Sequence, residues 1–356
     1  MLASLPRRPA RENEGDEKDA LVRDFRQLRE ALKDEGLFDP VFWPQVLRFA
    51  EVLLVQALAL YAFANGHWLL GGLLNGIFVS RNGLFMHDAG HRALFCNQKW
   101  DKYAHLFLFN FLSYASSSYW NNQHNKHHAA TQELGHDTDL ETLPVVAFDR
   151  FTLRRGNRAV LLWQYLYFVP AQLLLFFLWK FTHMRHALRT RNTPEIVLST
   201  AHHVVEFYLL RSQGILGYFI YMAIGLAIGG WILAVTFAMN HTHKPVVSKF
   251  TPRNWVIRAT EHTTNAAPSP FVDWITGYLN YQVEHHLFPS IPHPSLPKVA
   301  PRVKALLAKH NVEYDVRSAA ECMKAVFVNL YNVPRKPLPP GAVLDEKFNA
   351  GGKKKD

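Results

Sequence analysis

The sequence predicts an all-α, polytopic membrane protein: four transmembrane helices with interfacial helices and a cytosolic helical cap that holds a histidine-rich dimetal site. Three observations predict it. Apolar stretches of bilayer-crossing length alternate with polar, histidine-rich ones. The chain is 49% hydrophobic, yet its mean hydropathy is only −0.09, so the apolar residues are concentrated rather than spread. And one histidine phrase is written three times: His87-Asp-Ala-Gly-His91, His124-Asn-Lys-His127-His128 and Gln282-Val-Glu-His285-His286. On a helix, spacings of three and four put side chains on one face, so each phrase aims its imidazoles one way.

Composition narrows the classes further. The 356 residues allow one large domain or two. Cys96 and Cys322 alone can build neither a disulfide framework nor a cysteine-based zinc or iron–sulfur site. The formal net charge of +10 would suit nucleic acid, but the basic residues flank apolar segments. They read as positive-inside anchors and as a docking face for an acidic partner. Met1 to Lys18 holds no apolar core of signal-peptide length, so the chain is expected to start in the cytosol, with an internal helix directing insertion.

Residues 1–18 read as disordered. From Asp19 to Gly36, Leu21, Phe25, Leu28 and Leu32 recur at helical spacing, and Gly36 and Pro40 close an amphipathic helix. A crossing needs roughly 20 apolar residues. The first is expected at 47–65 and the second at 67–86, joined by a turn at Gly66 and His67. His87 and His91 then emerge where the second helix leaves the bilayer. Phe107 to Tyr119 is apolar but short and suits the interface; His124, His127 and His128 follow at once.

If the clusters share metals, they lie on one side, and an even number of crossings separates His128 from His285. Three apolar segments compete for two crossings: 159–181, 196–210 and 214–240. Arg150, Arg154, Arg155 and Arg158 precede the first, Lys180, Arg185, Arg189 and Arg191 follow it, and Pro170 sits in its middle. Positive charge at both ends and a central kink favour 159–181 as bent or interfacial, with crossings at 196–213 and 215–239. The rival reading crosses at 159–181, because His202, His203 and Glu206 make 196–210 a poor lipid-facing helix. Gly225 and Gly229 form a small-xxx-small pair for close helix packing. After Thr251 the chain is cytosolic: 288–297 is a proline-rich loop, and 297–310 and 319–333 are cap helices. The expected domain spans 19–340, followed by a basic tail, 341–356, whose Lys353-Lys354-Lys355-Asp356 resembles a dilysine signal for endoplasmic reticulum retrieval.

Neutral imidazoles suit iron, copper or zinc rather than calcium or magnesium. Two neighbouring ions with open positions for oxygen need about eight to ten protein ligands. The seven histidines of the three phrases fall slightly short. His241, at the end of the last crossing and on the same side, is the eighth candidate. Zinc hydrolysis is the competing chemistry. The His87–His91 spacing matches the zinc-protease helix, but Asp88 stands where that motif has its general-base Glu. One zinc also leaves the other clusters without a purpose. An oxygen-activating metal pair at a membrane surface implies a lipid substrate, since the apolar cap and helices can form a dry channel, and an aliphatic C–H bond yields to no acid or base residue.

The three boxes, HDAGH, HNKHH and QVEHH in this order, resemble those of the membrane fatty acid desaturases over roughly residues 20–335. Gln282, with LNYQVEHHLFPSIP at 279–292, PSPFVDW at 268–274 and MNH at 239–241, resembles the front-end subgroup, which adds a double bond between an existing one and the carboxyl end. The resemblance implies a diiron centre, two Fe ions held by His87, His91, His124, His127, His128, His241, His285 and His286, with Gln282 at a weaker ligand position. It also implies that Asn240 holds a water and that Asp88, Asp137 and Asp139 orient imidazoles. Many front-end enzymes carry a fused cytochrome b5 domain with an HPGG motif. That motif does not occur here. A separate cytochrome b5, supplied by an NADH-dependent reductase, is therefore the expected electron donor, and the endoplasmic reticulum membrane the expected location, with both termini and the active site cytosolic. The expected substrate is a polyunsaturated acyl chain, carried as acyl-CoA, with no nucleic acid partner. A sphingolipid desaturase or lipid hydroxylase is the alternative on the same scaffold; a zinc-dependent membrane hydrolase is the alternative of another class. His183, His186, His293 and His310 are expected to be solvated. His202 and His203 would point to different faces of their helix, and His136, His243 and His262 are weaker ligand candidates.

Overall fold

A computed structural model describes residues 12–140, 145–150, 157–247 and 254–336. The expected tail, 341–356, and residues 1–11 lie outside the described residues. Helix α1 (Glu12–Asp34) begins before the expected start, so residues 12–18, read as disordered, are helical. It ends where Gly36 takes φ +73°, a left-handed conformation that glycine adopts without a Cβ clash. Leu21, Phe25 and Leu32 are buried against α10 (Trp255–Glu261) and α13 (Leu296–Lys309), which puts α1 in the cap.

Helices α2 (Phe42–Ala64) and α3 (Trp68–Gly90) form the expected hairpin. Among the described residues, Phe42–Ala64 and Arg211–His241 are the helices long and apolar enough to cross a membrane. The α2 surface is a belt of exposed Trp43, Leu47, Leu54, Leu58 and Tyr61, the composition of a lipid-facing side. The second expected crossing does not meet that measure. α3 carries Asn75, Ser80, Arg81 and Asn82, all buried. They are tolerated because they face protein: Arg81 donates to both oxygens of Glu51 on α2, at 3.0 and 2.9 Å, and Asn82 donates to the Leu108 carbonyl and the Ser113 hydroxyl.

After α3 come α4 (Gln98–His105), a π-helical turn (Leu106–Phe111) and α5 (Ser117–Ala129). The expected interfacial stretch 107–119 is thus not one helix. It breaks at Leu112, and the Ser116 hydroxyl caps α5 by accepting from Tyr119 N. A short helix, α6 (Arg158–Leu161), leads into α7 (Gln164–Arg189), which bends by 47° between Leu174 and Phe176. Gln164 at one end of α7 donates to Leu330 O on α14 (Ala319–Asn332), and His183 near the other accepts from Ser116 N beside α5. Both ends therefore lie toward the cap. Lys180, read from the sequence as a surface anchor, is instead buried: its ammonium bonds the Ser113 carbonyl among Phe109, Tyr114, Phe176 and Trp179.

α8 (Thr193–Leu209) has 17 residues, continued by a 3-10 turn at Arg211–Gln213. Its polar side chains find partners inside the bundle. Glu206 accepts from Gln56, whose own carbonyl accepts from Tyr221, and His202 lies 3.4 Å from Glu206. Gln213 accepts from Trp68 Nε1 and donates to Ala64 O. The end of α2, the start of α3, the end of α8 and the start of α9 (Gly214–His241) thus meet at the pole opposite the histidines.

Glycines let α3 and α9 approach closely. A Cβ on Gly229 would sit 2.8 Å from the Gly76 carbonyl oxygen and 2.6 Å from Val79 Cβ; one on Gly225 would strike Asn75. The all-α expectation misses one feature, a two-residue parallel strand pair of β1 (Asn265–Ala266) and β2 (Val316–Arg317). It joins the chain just before α11 (Pro270–Thr276) to the chain just before α14.

Candidate metal centre

Box one occupies the end of α3, with His87 in the last turn and His91 as the C-cap. Box two lies within α5. Box three forms α12 (Gln282–Leu287), a six-residue helix in which every residue is buried. So short a helix is marginal alone, and its neighbours fix it. The Asn265 amide oxygen accepts from Val283 N, and Glu284 accepts from Asn265 Nδ2 at 2.7 Å and from the Tyr314 hydroxyl at 2.6 Å. Burial raises the Glu284 pKa against the pull of those two donors.

The packing divides the histidines into two groups. Ring nitrogens of His87, His91, His124 and His285 lie within 4.8 Å of one another, and so do those of His127, His241 and His286. His128 sits between the groups. Its Nε2 is 3.1 Å from the Nε2 of both His124 and His285, while its ring stacks on His286 at 4.3 Å. All eight expected ligands thus gather in one cluster. Gln282 Nε2 stands 3.1 Å from His241 Nε2 and 3.3 Å from His286 Nε2, at the edge of the second group. Asn240 donates to Gln282 Oε1 and to Leu279 O, so it holds the glutamine.

The site is dry. His87 Nε2 and His91 Nε2 are buried without a hydrogen-bond partner. Burial and then mutual repulsion hold His124, His128, His285 and His286 well below the ordinary imidazole range, which keeps them neutral. Buried neutral imidazoles that converge with bare nitrogens fit a transition metal. His127 differs. Burial opposes its protonation, but Asp137 and Asp139 outweigh burial and lift it to about 9. Its Nδ1 lies 3.1 Å from both Asp137 oxygens and 3.4 Å from exposed Asp139. In the same group the outer nitrogens have neutral partners: His241 Nδ1 donates to His262 O at 2.9 Å, and His286 Nδ1 is 3.3 Å from the Thr131 hydroxyl.

Several expectations need correction. Asp88 reaches a box histidine only through another residue: it is paired with Arg48 and accepts from His293 N, and His293 meets His87. His293 is not solvated: it is fully buried, with Nε2 3.2 Å from His87 Nδ1. His183 is buried as well. His310 is 12% exposed and pairs with Asp24 at 2.8 Å, while His186 is half-buried against Tyr119. Of the weaker candidates, His262 contributes its carbonyl, His243 lies 3.0 Å from the Thr264 hydroxyl, and His136 pairs with Glu133 outside the cluster. Sequence reasoning passed over Trp120, whose ring stacks on His124 at 4.3 Å and meets His87 and His91 edge-on. The i, i+4 spacing of Trp120 and His124 on α5 was the available signal.

A helical chain with membrane-spanning segments that gathers eight buried or half-buried imidazoles at one end of its bundle has the form of a membrane-bound histidine-box protein able to hold metal. The chain matches the fatty acid desaturase family over residues 66–318. It is 37% identical to the "Acyl-lipid (8-3)-desaturase" of Rebecca salina across 95% of this chain and 81% of that one. It is 35% identical to the protein of the same name from Thraustochytrium sp, across 89% and 75%. With "Fatty acid desaturase 3" of Homo sapiens it shares 30% identity across 83% and 69%. The chain belongs to the fatty acid desaturase family and is an oxidoreductase of lipid metabolism. The zinc hydrolase alternative is thereby set aside.

Proposed function

We propose that the chain is a front-end desaturase that places a cis double bond between an existing double bond and the carboxyl end of a polyunsaturated acyl chain, consuming O2 and two electrons from cytochrome b5. One observation carries this reading: the division of the box histidines into two adjacent groups bridged by His128. In it, His87, His91, His124 and His285 hold one iron; His127, His241 and His286 hold the other, with Gln282 beside it and His128 between. The bound pair supplies the oxidising power that a C–H bond of the acyl chain requires. The protein's own groups do the rest. Trp120 walls one side of the site and excludes water. Asp137 fixes the His127 ring, and Asn240 holds the Gln282 amide.

In this reading α2, α3, α8 and α9 are the four crossings of an endoplasmic reticulum protein, α7 dips in and returns, and the histidines face the cytosol. Gln282 in box three supports the front-end assignment. The names of the first two relatives favour an acyl chain esterified in a complex lipid over the acyl-CoA expected from the sequence. Cells expressing the chain, fed a panel of polyunsaturated fatty acids, should gain a new double bond on the carboxyl side of an existing one. Mass spectrometry should find it first in phospholipid rather than in acyl-CoA. A gain of oxygen instead of a loss of two hydrogens would make the chain a hydroxylase, and a product confined to long-chain bases would make it a sphingolipid desaturase.

His127 gives a second test. With its pKa near 9 the metal-free ring is protonated at neutral pH, so iron must displace a proton to reach Nε2. Adding iron(II) to the apoprotein should release about one proton per chain from this residue. Asp137→Asn removes the carboxylate that stabilises the imidazolium and should remove that release. Equal proton release by the two proteins, followed with an indicator dye, would contradict the assignment.

A further inference from the structure

We infer that His293, Asp88 and Arg48 form a relay that fixes the tautomer and aim of His87, with His293 as the positioning residue. The inference rests on the reading of His87 as an iron ligand. Geometry gives the direction of each hydrogen bond. Arg48 donates to Asp88 Oδ2, so Asp88 is held as a carboxylate. The His293 backbone N donates to Asp88 Oδ1 at 3.0 Å, and His293 Nδ1 lies 3.3 Å from the same oxygen. The Asp88 carboxylate beside that nitrogen, with no other charge facing Nε2 among the described residues, favours the His293 proton on Nδ1. Its Nε2 is then a bare lone pair, 3.2 Å from His87 Nδ1. His87 must carry its own proton on Nδ1 to meet it, which leaves His87 Nε2 bare. That atom is buried and has no hydrogen-bond partner, as an atom reserved for a metal should be.

The relay joins three separate pieces of chain. Arg48 comes from α2, Asp88 from α3, and His293 from the loop after box three. All three side chains are buried. A buried ion pair is costly unless its polar atoms are matched, and here Asp88 is matched by Arg48 and the His293 backbone while the His293 ring reaches a box histidine. His293 cannot serve as a ligand itself without abandoning His87 Nδ1. The loop after box three therefore orients box one, and the first group gains an outer anchor comparable to Asp137 in the second.

The test uses the full chain in detergent, titrated with isotopically labelled iron and examined by Mössbauer spectroscopy and thermal melting. His293→Leu should bind one of its two irons at least tenfold more weakly than the parent, in line with the roughly 10–100-fold that loss of an outer partner costs. His293→Gln presents an amide oxygen to His87 Nδ1 and should recover most of that affinity, with altered spectral parameters for one iron of the pair. Parent-like affinity and spectrum in folded His293→Leu would overturn the relay while leaving the diiron reading intact. If the leucine variant does not fold, His293→Gln decides alone: a change at one iron supports the relay, and an unchanged spectrum overturns it. A parent protein that binds no iron pair overturns the proposed function and the relay together.

Discussion

His285→Ala is expected to abolish product formation and to lower bound iron from two per chain toward one. His285 belongs to the first histidine group, its Nε2 is 3.1 Å from that of His128, and its ring is buried against His87 and His91. In the proposed reading, removing it withdraws a ligand from one ion and the neighbour of the bridging imidazole at once. The loss should exceed the roughly 10–100-fold cost of an outer-partner mutation, so product should fall below detection. Fold damage should be small, because among the described residues this ring's hydrogen bond stays within the cluster. The check is paired: fatty acid analysis of expressing cells, and iron per chain in purified protein with an unchanged melting temperature. Measurable desaturation with two irons bound would remove His285 from the site.

Gly229→Leu is expected to prevent accumulation of folded protein, and Gly229→Ala to lower stability by about 1–3 kcal/mol or more, the usual cost of overpacking. The contact is backbone on backbone. A Cβ at Gly229 would meet the Gly76 oxygen at 2.8 Å, and that oxygen cannot rotate away as a side chain would. α3 and α9 must then separate. α3 carries His87 in its last turn and α9 ends in His241, so separation also pulls the two histidine groups apart. Gly66→Asn is the control, since a Cβ added there would meet nothing within 4 Å and asparagine tolerates its φ of +86°. Size-exclusion profiles of tagged variants give the readout. A monodisperse, parent-like Gly229→Leu would mean that the two helices are not packed as described.

The box histidines were legible in the sequence because helical spacing puts them on one face whatever the rest of the fold does. Their division into two groups was not, because it depends on how α3, α5 and α12 cross. A bend in α7 was expected at Pro170, but it falls between Leu174 and Phe176, beyond the turn that the proline itself disturbs. The segment of α8 was favoured as a crossing, but a rival reading stayed open because His202 and Glu206 were visible while their surroundings, Gln56 and Tyr221, lay far away in the chain. Lys180 was misread for a related reason: nothing in a sequence distinguishes a lysine at a surface from one whose ammonium reaches a carbonyl inside an aromatic cage. His293 was assigned to solvent because proline-rich loops usually lie outside, and only its contacts with Asp88 and His87 reveal otherwise.

Box three is braced from downstream. Glu284 leans on the Tyr314 hydroxyl, and Asn265 sits in the strand that pairs with Val316. A ribosome has therefore delivered all of the other histidine-bearing segments before the residues that lock α12 exist. Until Tyr314 and β2 emerge, the nascent polypeptide holds its imidazoles in a cradle with one loose wall. The third histidine box, and with it the contact of His285 with His128, is therefore completed only once the stretch from Tyr314 to Arg317 is in place.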